Sequence, residues 1–123
     1  MDINDLTGEV IGAAIEVHRI LGPGLLESIY EECLCIEFDK RKIPYQRQKE
    51  IPIVYKGTKL DSTHRLDIIV TNNLIVELKA CDSIQPVHEA QILTYLKLTG
   101  IKVGLLINFN VPLLKKGIKR FIL

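Results

Sequence analysis

Three charged side chains interrupt two short apolar runs that otherwise have the composition of buried β-strands. Asp67 lies in the run of residues 66–70, and Glu77 and Lys79 lie in the run of residues 74–80. Charged groups are almost never buried without a partner or a metal ion. Core packing therefore does not account for these residues, whereas metal binding or an ion pair would.

The connection between the two runs decides whether the carboxylates meet. Residues 71–73, Thr-Asn-Asn, can form a three-residue hairpin loop in which an asparagine is left-handed. Asp67 then lies opposite Glu77, with Cβ atoms about 4.5–5.5 Å apart. Lys79 points to the same side as Glu77, because side chains alternate along a strand. A two-residue loop would instead place Asp67 opposite Leu78 and separate the carboxylates.

Two explanations fit opposed carboxylates beside a lysine. A divalent cation between them would offset their repulsion, and carboxylate oxygens suit Mg²⁺ or Mn²⁺. Alternatively, Lys79 forms a plain ion pair with Asp67 or Glu77 at a half-exposed sheet edge. These three residues alone do not decide between the two.

Composition indicates one ordinary globular domain over residues 1–123, with 47% apolar and 25% charged residues. No apolar stretch is long enough to span a bilayer, and the acidic N-terminus lacks the layout of a signal peptide. We therefore expect a cytoplasmic protein with no membrane partner, or a nuclear one if the source has a nucleus. The three cysteines, an odd number, indicate packing residues rather than a disulfide framework.

The net charge of +1 gives no general attraction for nucleic acid, so such binding must rest on local patches. Arg65, beside His64 at a strand edge, is one candidate for phosphate contact. Two basic clusters are further candidates: Lys115, Lys116, Lys119 and Arg120, and, earlier in the chain, Lys40, Arg41, Lys42, Arg47 and Lys49. A solvated face is the simpler explanation of each cluster taken alone.

The apolar periodicity predicts an α/β fold in the order α-α-β-β-β-α-β. Helices are predicted over residues 5–21, 25–41 and 86–99, with breaks at Gly22-Pro23-Gly24 and Ile43-Pro44. Strands are predicted over residues 50–55, 59–70, 74–80 and 102–109, followed by an extended piece at 118–123. Pro52 indicates an edge strand. The apolar fourth strand indicates a central position, parallel to the third, in a mixed sheet flanked by helices.

Polar residues on two of these helices could also reach a site. Glu27 and Tyr30 are neighbours at the start of the second helix, and Gln91 and Tyr95 share a face of the third. Structural roles also explain them, since Glu27 suits a helix N-terminus and Tyr95 could be a core aromatic.

The ordered set resembles a known family over nearly the whole chain. Gly24-x-x-Glu27-x-x-Tyr30 matches the motif that names the GxxExxY family. Asp67, then Glu77-x-Lys79, then Gln91-x-x-x-Tyr95 resembles the signature of PD-(D/E)XK nucleases. The sequence departs from that signature at Leu66, which stands where the family has a proline.

The resemblance implies a restriction-endonuclease-like fold and Mg²⁺-dependent hydrolysis of phosphodiesters, with DNA favoured and Mn²⁺ as a substitute. By that resemblance, Asp67, Glu77 and the Leu78 carbonyl hold the metal, and Glu27 completes the acidic cluster, directly or through a water molecule. Lys79 positions or helps to deprotonate water. Gln91 and Tyr95 orient the phosphate or the lysine.

Two other functions remain open at this point. One is a non-catalytic module on the same fold that binds nucleic acid or a protein. The other is a metalloenzyme for a small phosphate ester, which would need a narrow, closed pocket. A chain of this length has little surface with which to bind a DNA duplex. A homodimer, or a protein partner that supplies substrate recognition, is therefore also compatible with the sequence.

Overall fold

The computed structural model describes residues 1–123 and contains three α-helices and five β-strands. The helices are α1 Ile3–Leu21, α2 Glu27–Arg41 and α3 Pro86–Thr99. The strands are β1 Tyr45–Tyr55, β2 Thr58–Val70, β3 Leu74–Lys79, β4 Val103–Asn108 and β5 Ile118–Ile122, and a 3₁₀-helix, Leu114–Gly117, precedes β5. The predicted order is therefore confirmed as far as β4.

The strands form one mixed sheet in the order β1-β2-β3-β4-β5. β3 and β4 are parallel, as the helix between them predicts, and the other neighbours are antiparallel. β4 is buried along its whole length, and β1 lies at an edge, as Pro52 indicates. These results confirm the predicted mixed sheet.

Two strand predictions need correction. The piece after residue 118 is a fifth strand, because it pairs antiparallel with β4 from Val103–Ile122 to Ile107–Ile118. β1 begins at Tyr45 rather than at residue 50. Its first half is polar and mostly exposed, so the apolar alternation that marks a strand is absent there.

Apolar layers cover both faces of the sheet, which is why its central strands contain so few polar residues. On one face, α1 and α2 bury residues such as Val10, Leu34 and Phe38 against alternate residues of the sheet. On the other face, Ile92 and Leu96 of α3 pack on a smaller apolar cluster. The helices therefore leave the strand ends as the accessible part of the central sheet.

Three large apolar residues in and next to α1 and α2 lie outside the buried faces of these helices. Ile15 of α1 and Leu26 and Ile29 near the start of α2 are exposed, although the apolar spacing places them inward. No helix of the chain combines the length and the apolar character needed to cross a membrane.

Candidate active site

The β2–β3 hairpin has the register that places the two carboxylates opposite each other. Ile68 pairs with Val76, Ile69 with Ile75 and Val70 with Leu74, so residues 71–73 form the predicted three-residue loop. Thr71 and Asn72 have positive φ values of 50° and 60°. The loop thus places a threonine as well as an asparagine in the left-handed region.

Asp67 and Glu77 meet where the β2–β3 ladder ends. The backbone N–H of Asp67 donates to Glu77 Oε1 at 3.1 Å, and the N–H of Leu78 donates to Asp67 Oδ2 at 2.8 Å. Each carboxylate therefore accepts a backbone hydrogen bond from the opposite strand. The exchange holds both acidic groups in place and leaves each with a second oxygen that can bind a ligand.

The pairing of β1 with β2 is interrupted opposite Asp67. Arg47 pairs with Ile68 and Lys49 with Leu66, whereas Gln48, which lies between them, has a φ of 49°. Arg47 and Gln48 both donate to the buried carboxylate of Glu31 on α2, at 2.9 and 2.8 Å. This contact ties α2 to the sheet beside Asp67.

Glu77 is ionised with difficulty in the folded protein. Its side chain is only 7% exposed, and burial raises its pKa to about 9 from an ordinary value of 4.5. Burial is the largest cause of this rise and the negative charge of Asp67 adds to it, whereas the backbone N–H of Asp67 and the charge of Lys79 lower the pKa. Glu77 therefore keeps its proton beside Asp67, and a cation can take the place of that proton.

Lys79 ends β3 half-buried and forms no ion pair within 4.0 Å. The alternative of a plain ion pair with Asp67 or Glu77 is therefore wrong. Its charge nevertheless lowers the pKa of both Glu27 and Glu77, so it lies near the acidic groups. Such a cation is free to meet an anionic substrate.

Glu27 lies at the start of α2, near enough to Asp67 and Lys79 to feel their charges. Partial burial raises its pKa, and the nearby charge of Asp67 adds to that effect, while Lys79 and His88 oppose it. No group of three or more acidic, histidine or cysteine side chains is arranged to hold a metal ion. Glu27 is the exposed first residue of α2, and its part in the acidic cluster, directly or through a water molecule, stays a prediction.

Tyr30 explains the spacing of the motif around Glu27. Its hydroxyl donates to the Gly22 carbonyl at 2.6 Å and accepts from the Leu25 N–H at 3.1 Å. Its ring stacks on Phe109 at 4.4 Å between centroids. Gly24 has a φ of 96°, which glycine adopts at little cost. The glycine and the tyrosine together fix the turn that delivers Glu27.

We expect Tyr30→Phe to lower the free energy of unfolding by about 1–3 kcal/mol, because two backbone groups lose their shared partner inside the protein. Urea denaturation measures this change. Tyr55→Phe is the matched control, since Tyr55 is exposed, and its effect is expected to stay within about 0.5 kcal/mol. Equal effects of the two substitutions would contradict the assigned role of the Tyr30 hydroxyl.

The two helical residues of the predicted Gln91-x-x-x-Tyr95 motif differ in burial. Tyr95 is 7% exposed, and burial raises its pKa to about 12, with further contributions from Glu77 and Asp67. Its ring stacks on His64 at 4.5 Å, and His64 is half-buried. Gln91 is exposed and makes no hydrogen bond through its side chain. The fold therefore brings Tyr95 to the carboxylates but leaves Gln91 at the surface.

The basic residues near the C-terminus do not form one surface. Lys119 forms an ion pair with Glu89 of α3 at 2.6 Å, whereas Arg120 donates to Asn4 of α1 at 3.0 Å. Adjacent residues of β5 point to opposite faces of the sheet, which divides the predicted patch. Lys115 and Lys116 remain exposed on the 3₁₀-helix.

The other basic candidates are partly neutralised by nearby acids. Arg65 lies 3.6 Å from Glu50 on the neighbouring strand. In the second predicted patch, Arg41 pairs with Glu9 and Glu37, and Arg47 pairs with Glu31. Glu31 is the functional neighbour that the sequence pattern did not single out. Its position four residues after Glu27, on the same face of a helix, is the signal that could have identified it.

The donor groups at the carboxylate pair fit a hard divalent cation. Asp67 and Glu77 each offer an oxygen beyond the one that accepts a backbone N–H. Oxygen atoms are the preferred ligands of Mg²⁺ and Mn²⁺. The candidate ligands, the carboxylates of Asp67 and Glu77, are all oxygen atoms.

Comparison with known proteins agrees with this arrangement. A sequence profile of the PD-(D/E)XK nuclease superfamily matches residues 4–121. The fold is similar to that in the crystal structure of SSO0001, with a TM-score of 0.52 and 20% sequence identity. That likeness covers 76% of this chain and 47% of the SSO0001 chain, so this chain spans about half the length of its structural neighbour. No protein with a curated description matches the sequence significantly. The chain belongs to the PD-(D/E)XK nuclease superfamily.

Proposed function

We propose that the protein is a metal-dependent nuclease of the GxxExxY type that hydrolyses phosphodiester bonds in DNA. The observation that carries the proposal is the reciprocal arrangement of Asp67 and Glu77, in which each carboxylate accepts a backbone N–H from the other strand. A purely structural strand end has no need of two adjacent acids, one half-buried and the other buried so deeply that it keeps its proton. A phosphate-bound cation gives both acids a partner.

In this proposal, Asp67, Glu77 and the backbone carbonyl of Leu78 hold Mg²⁺, for which Mn²⁺ can substitute. The chemistry supplied by such a cation, when bound, is neutralisation of phosphate charge and a lower pKa for a water molecule. The protein prepares the site in advance, because the backbone donors fix both carboxylates before the ligand arrives.

The remaining residues act on the substrate from fixed positions. Lys79 carries a positive charge that no carboxylate within 4.0 Å neutralises, so it can stabilise the charge that develops on the phosphate oxygens. Tyr95 keeps its proton because its pKa is raised to about 12, so its hydroxyl is a donor near the acids. Glu27 orders the site through water rather than through direct ligation.

The surroundings of the site favour a large substrate over a small one. The five main surface pockets have volumes from about 130 to 390 Å³, and Asp67, Glu77 and Lys79 line none of them. A hydrolase for a small phosphate ester would enclose its substrate in a pocket. An open site at strand ends suits a polymer that extends past the protein.

Removal of the metal is expected to abolish cleavage. The test incubates the protein with labelled single-stranded, duplex and branched DNA in Mg²⁺, in Mn²⁺ and in EDTA. The proposal is supported if the protein cuts DNA in Mg²⁺ or Mn²⁺ and does not cut it in EDTA. Glu77→Gln should also fail to cut, whereas the exposed control Glu32→Gln should cut normally. A folded protein that neither cuts any of these substrates nor binds Mn²⁺ would indicate a non-catalytic module.

A further inference from the structure

The hairpin formed by β1 and β2 continues well past the body of the sheet. Ile51 and His64 are paired residues of the two strands, and both contact α3. Ile51 is buried in the apolar cluster beneath α3, and His64 stacks on Tyr95. Every residue from 52 to 63 is exposed except the half-buried Ile53. Residues 52–63 are called the ribbon below. β3 pairs with β2 only at residues 68–70, so the ribbon has no third strand beside it.

The ribbon leaves the sheet at the end where the candidate active site lies. β2 runs from the tip of the ribbon to Asp67, and Thr58 precedes Asp67 by nine residues, which corresponds to about 30 Å of strand. β3 runs antiparallel to β2 and ends at Lys79 on that same side. The 3₁₀-helix that carries Lys115 and Lys116 follows the end of β4, which is parallel to β3. The ribbon and the 3₁₀-helix therefore flank the strand that carries Lys79.

The ribbon carries a net charge of +1, from Lys56, Lys59 and Asp61, and its base adds further basic residues. Lys49, Lys56 and Lys59 form no ion pair, and Lys56 lies over the ring of Tyr55 at 5.5 Å. Arg65 and Glu50 neutralise each other. Asp61 is the remaining acid within residues 49–65. This segment thus carries a net charge of +2 in a chain whose total is +1.

The tip of the ribbon also exposes apolar side chains. Val54 is 59% exposed, Tyr55 is 63% exposed and Leu60 is 38% exposed. A two-stranded hairpin without further support is at best marginally stable in water. Such a segment gains order from a partner that covers it.

The ribbon could bind either a second copy of the chain or a polyanion, and its positive charge favours the polyanion. A second copy of the chain would bring two positively charged ribbons together, and lysines on exposed edge strands disfavour pairing of that kind. A polyanion is instead attracted by the same charges. An antiparallel β-ribbon also has dimensions that fit the major groove of duplex DNA.

We propose that the ribbon is a duplex-binding arm that lies in a groove of double-stranded DNA while the strand ends engage the phosphate to be cut. This inference rests on the proposed function and adds to it a preference for duplex over single-stranded substrate. Lys56 and Lys59 contact phosphates, and the apolar tip contacts the groove.

The experiment measures binding separately from cleavage. Fluorescence anisotropy with labelled duplex and single-stranded DNA is recorded in EDTA over a range of salt concentrations. For the double variant Lys56→Ala/Lys59→Ala, duplex affinity is expected to fall about tenfold or more, and the slope of log K against log salt to fall by about two. The matched control is Lys97→Ala/Lys102→Ala, which removes two exposed lysines at the opposite end of the sheet and is expected to bind as the wild type does.

Three results would overturn the inference. The first is unchanged duplex binding by the ribbon variant, and the second is an equal loss in the control. The third is a wild-type dimer in light scattering that Leu60→Ser dissociates, because the ribbon would then bind a second copy.

Cleavage by the wild type together with normal binding by the ribbon variant would reject the arm but leave the nuclease intact. Ribbon-dependent duplex binding without any cleavage would reject the nuclease but leave the arm intact.

Discussion

Lys79→Ala is expected to lower the rate of DNA cleavage by about 10²–10³-fold while leaving the protein folded. The charge of this lysine acts on Glu77, whose pKa it lowers, and loss of one group that stabilises transition-state charge has an effect of that order. Its ammonium group makes no ion pair within 4.0 Å, so its removal leaves no carboxylate without a partner. Single-turnover cleavage of the preferred DNA substrate in Mg²⁺ measures the effect.

A measurement of metal binding separates a role on the substrate from a role in the metal site. Lys79 is not a ligand in the proposal, so Lys79→Ala should bind Mn²⁺ as tightly as the wild type does in calorimetry. Lys97→Ala, on the exposed face of α3, serves as the control of equal charge and should cleave normally. Cleavage by Lys79→Ala at a rate within threefold of the wild-type rate would remove this residue from the mechanism.

The hairpin shows why the centre of the site could be predicted from the sequence. Register in a hairpin follows from loop length, and the apolar runs on both sides allow few alternatives. The three-residue loop therefore predicts that Asp67 lies opposite Glu77, and the observed pairing of Ile68 with Val76 agrees. Local rules were sufficient because the two acids are close in sequence.

Contacts between distant elements could not be predicted in the same way. The buried Glu31 binds Arg47 and Gln48 only because α2 packs beside the first half of β1, and that half has no apolar alternation. The separation of Lys119 from Arg120 depends on the pairing of β5 with β4, which the sequence pattern did not reveal. In both cases the deciding information is tertiary, since each side chain finds its partner on another element.

Glu77→Gln is expected to change how the stability of the metal-free protein depends on pH. The folded state raises the pKa of Glu77 to about 9, whereas the ordinary value is 4.5. Between these two values the unfolded chain loses this proton and the folded protein keeps it. The free energy of unfolding therefore falls as pH rises through this window, by at most about 1.4 kcal/mol per pH unit. Below pH 4.5 both states are protonated and the full stability is present.

Glutamine removes this titration and can still donate an amide hydrogen to Asp67. Urea denaturation in EDTA should therefore show that Glu77→Gln depends less on pH than the wild type and is at least as stable at pH 8. A flat wild-type profile over this pH window would contradict the assigned protonation of Glu77. The exposed control Glu50→Gln should follow the wild-type curve.

Added Mn²⁺ should reverse the order of stability at pH 8. The wild type gains free energy by binding the ion in its native state, and the gain grows with metal concentration relative to Kd. Glu77→Gln lacks one charged ligand and should gain much less. The metal must also displace the proton of Glu77, so Mn²⁺ affinity of the wild type should rise with pH, and proton release should accompany binding. If Mn²⁺ stabilised both proteins equally, the ion would be bound elsewhere, and Asp67 and Glu77 would not be its ligands.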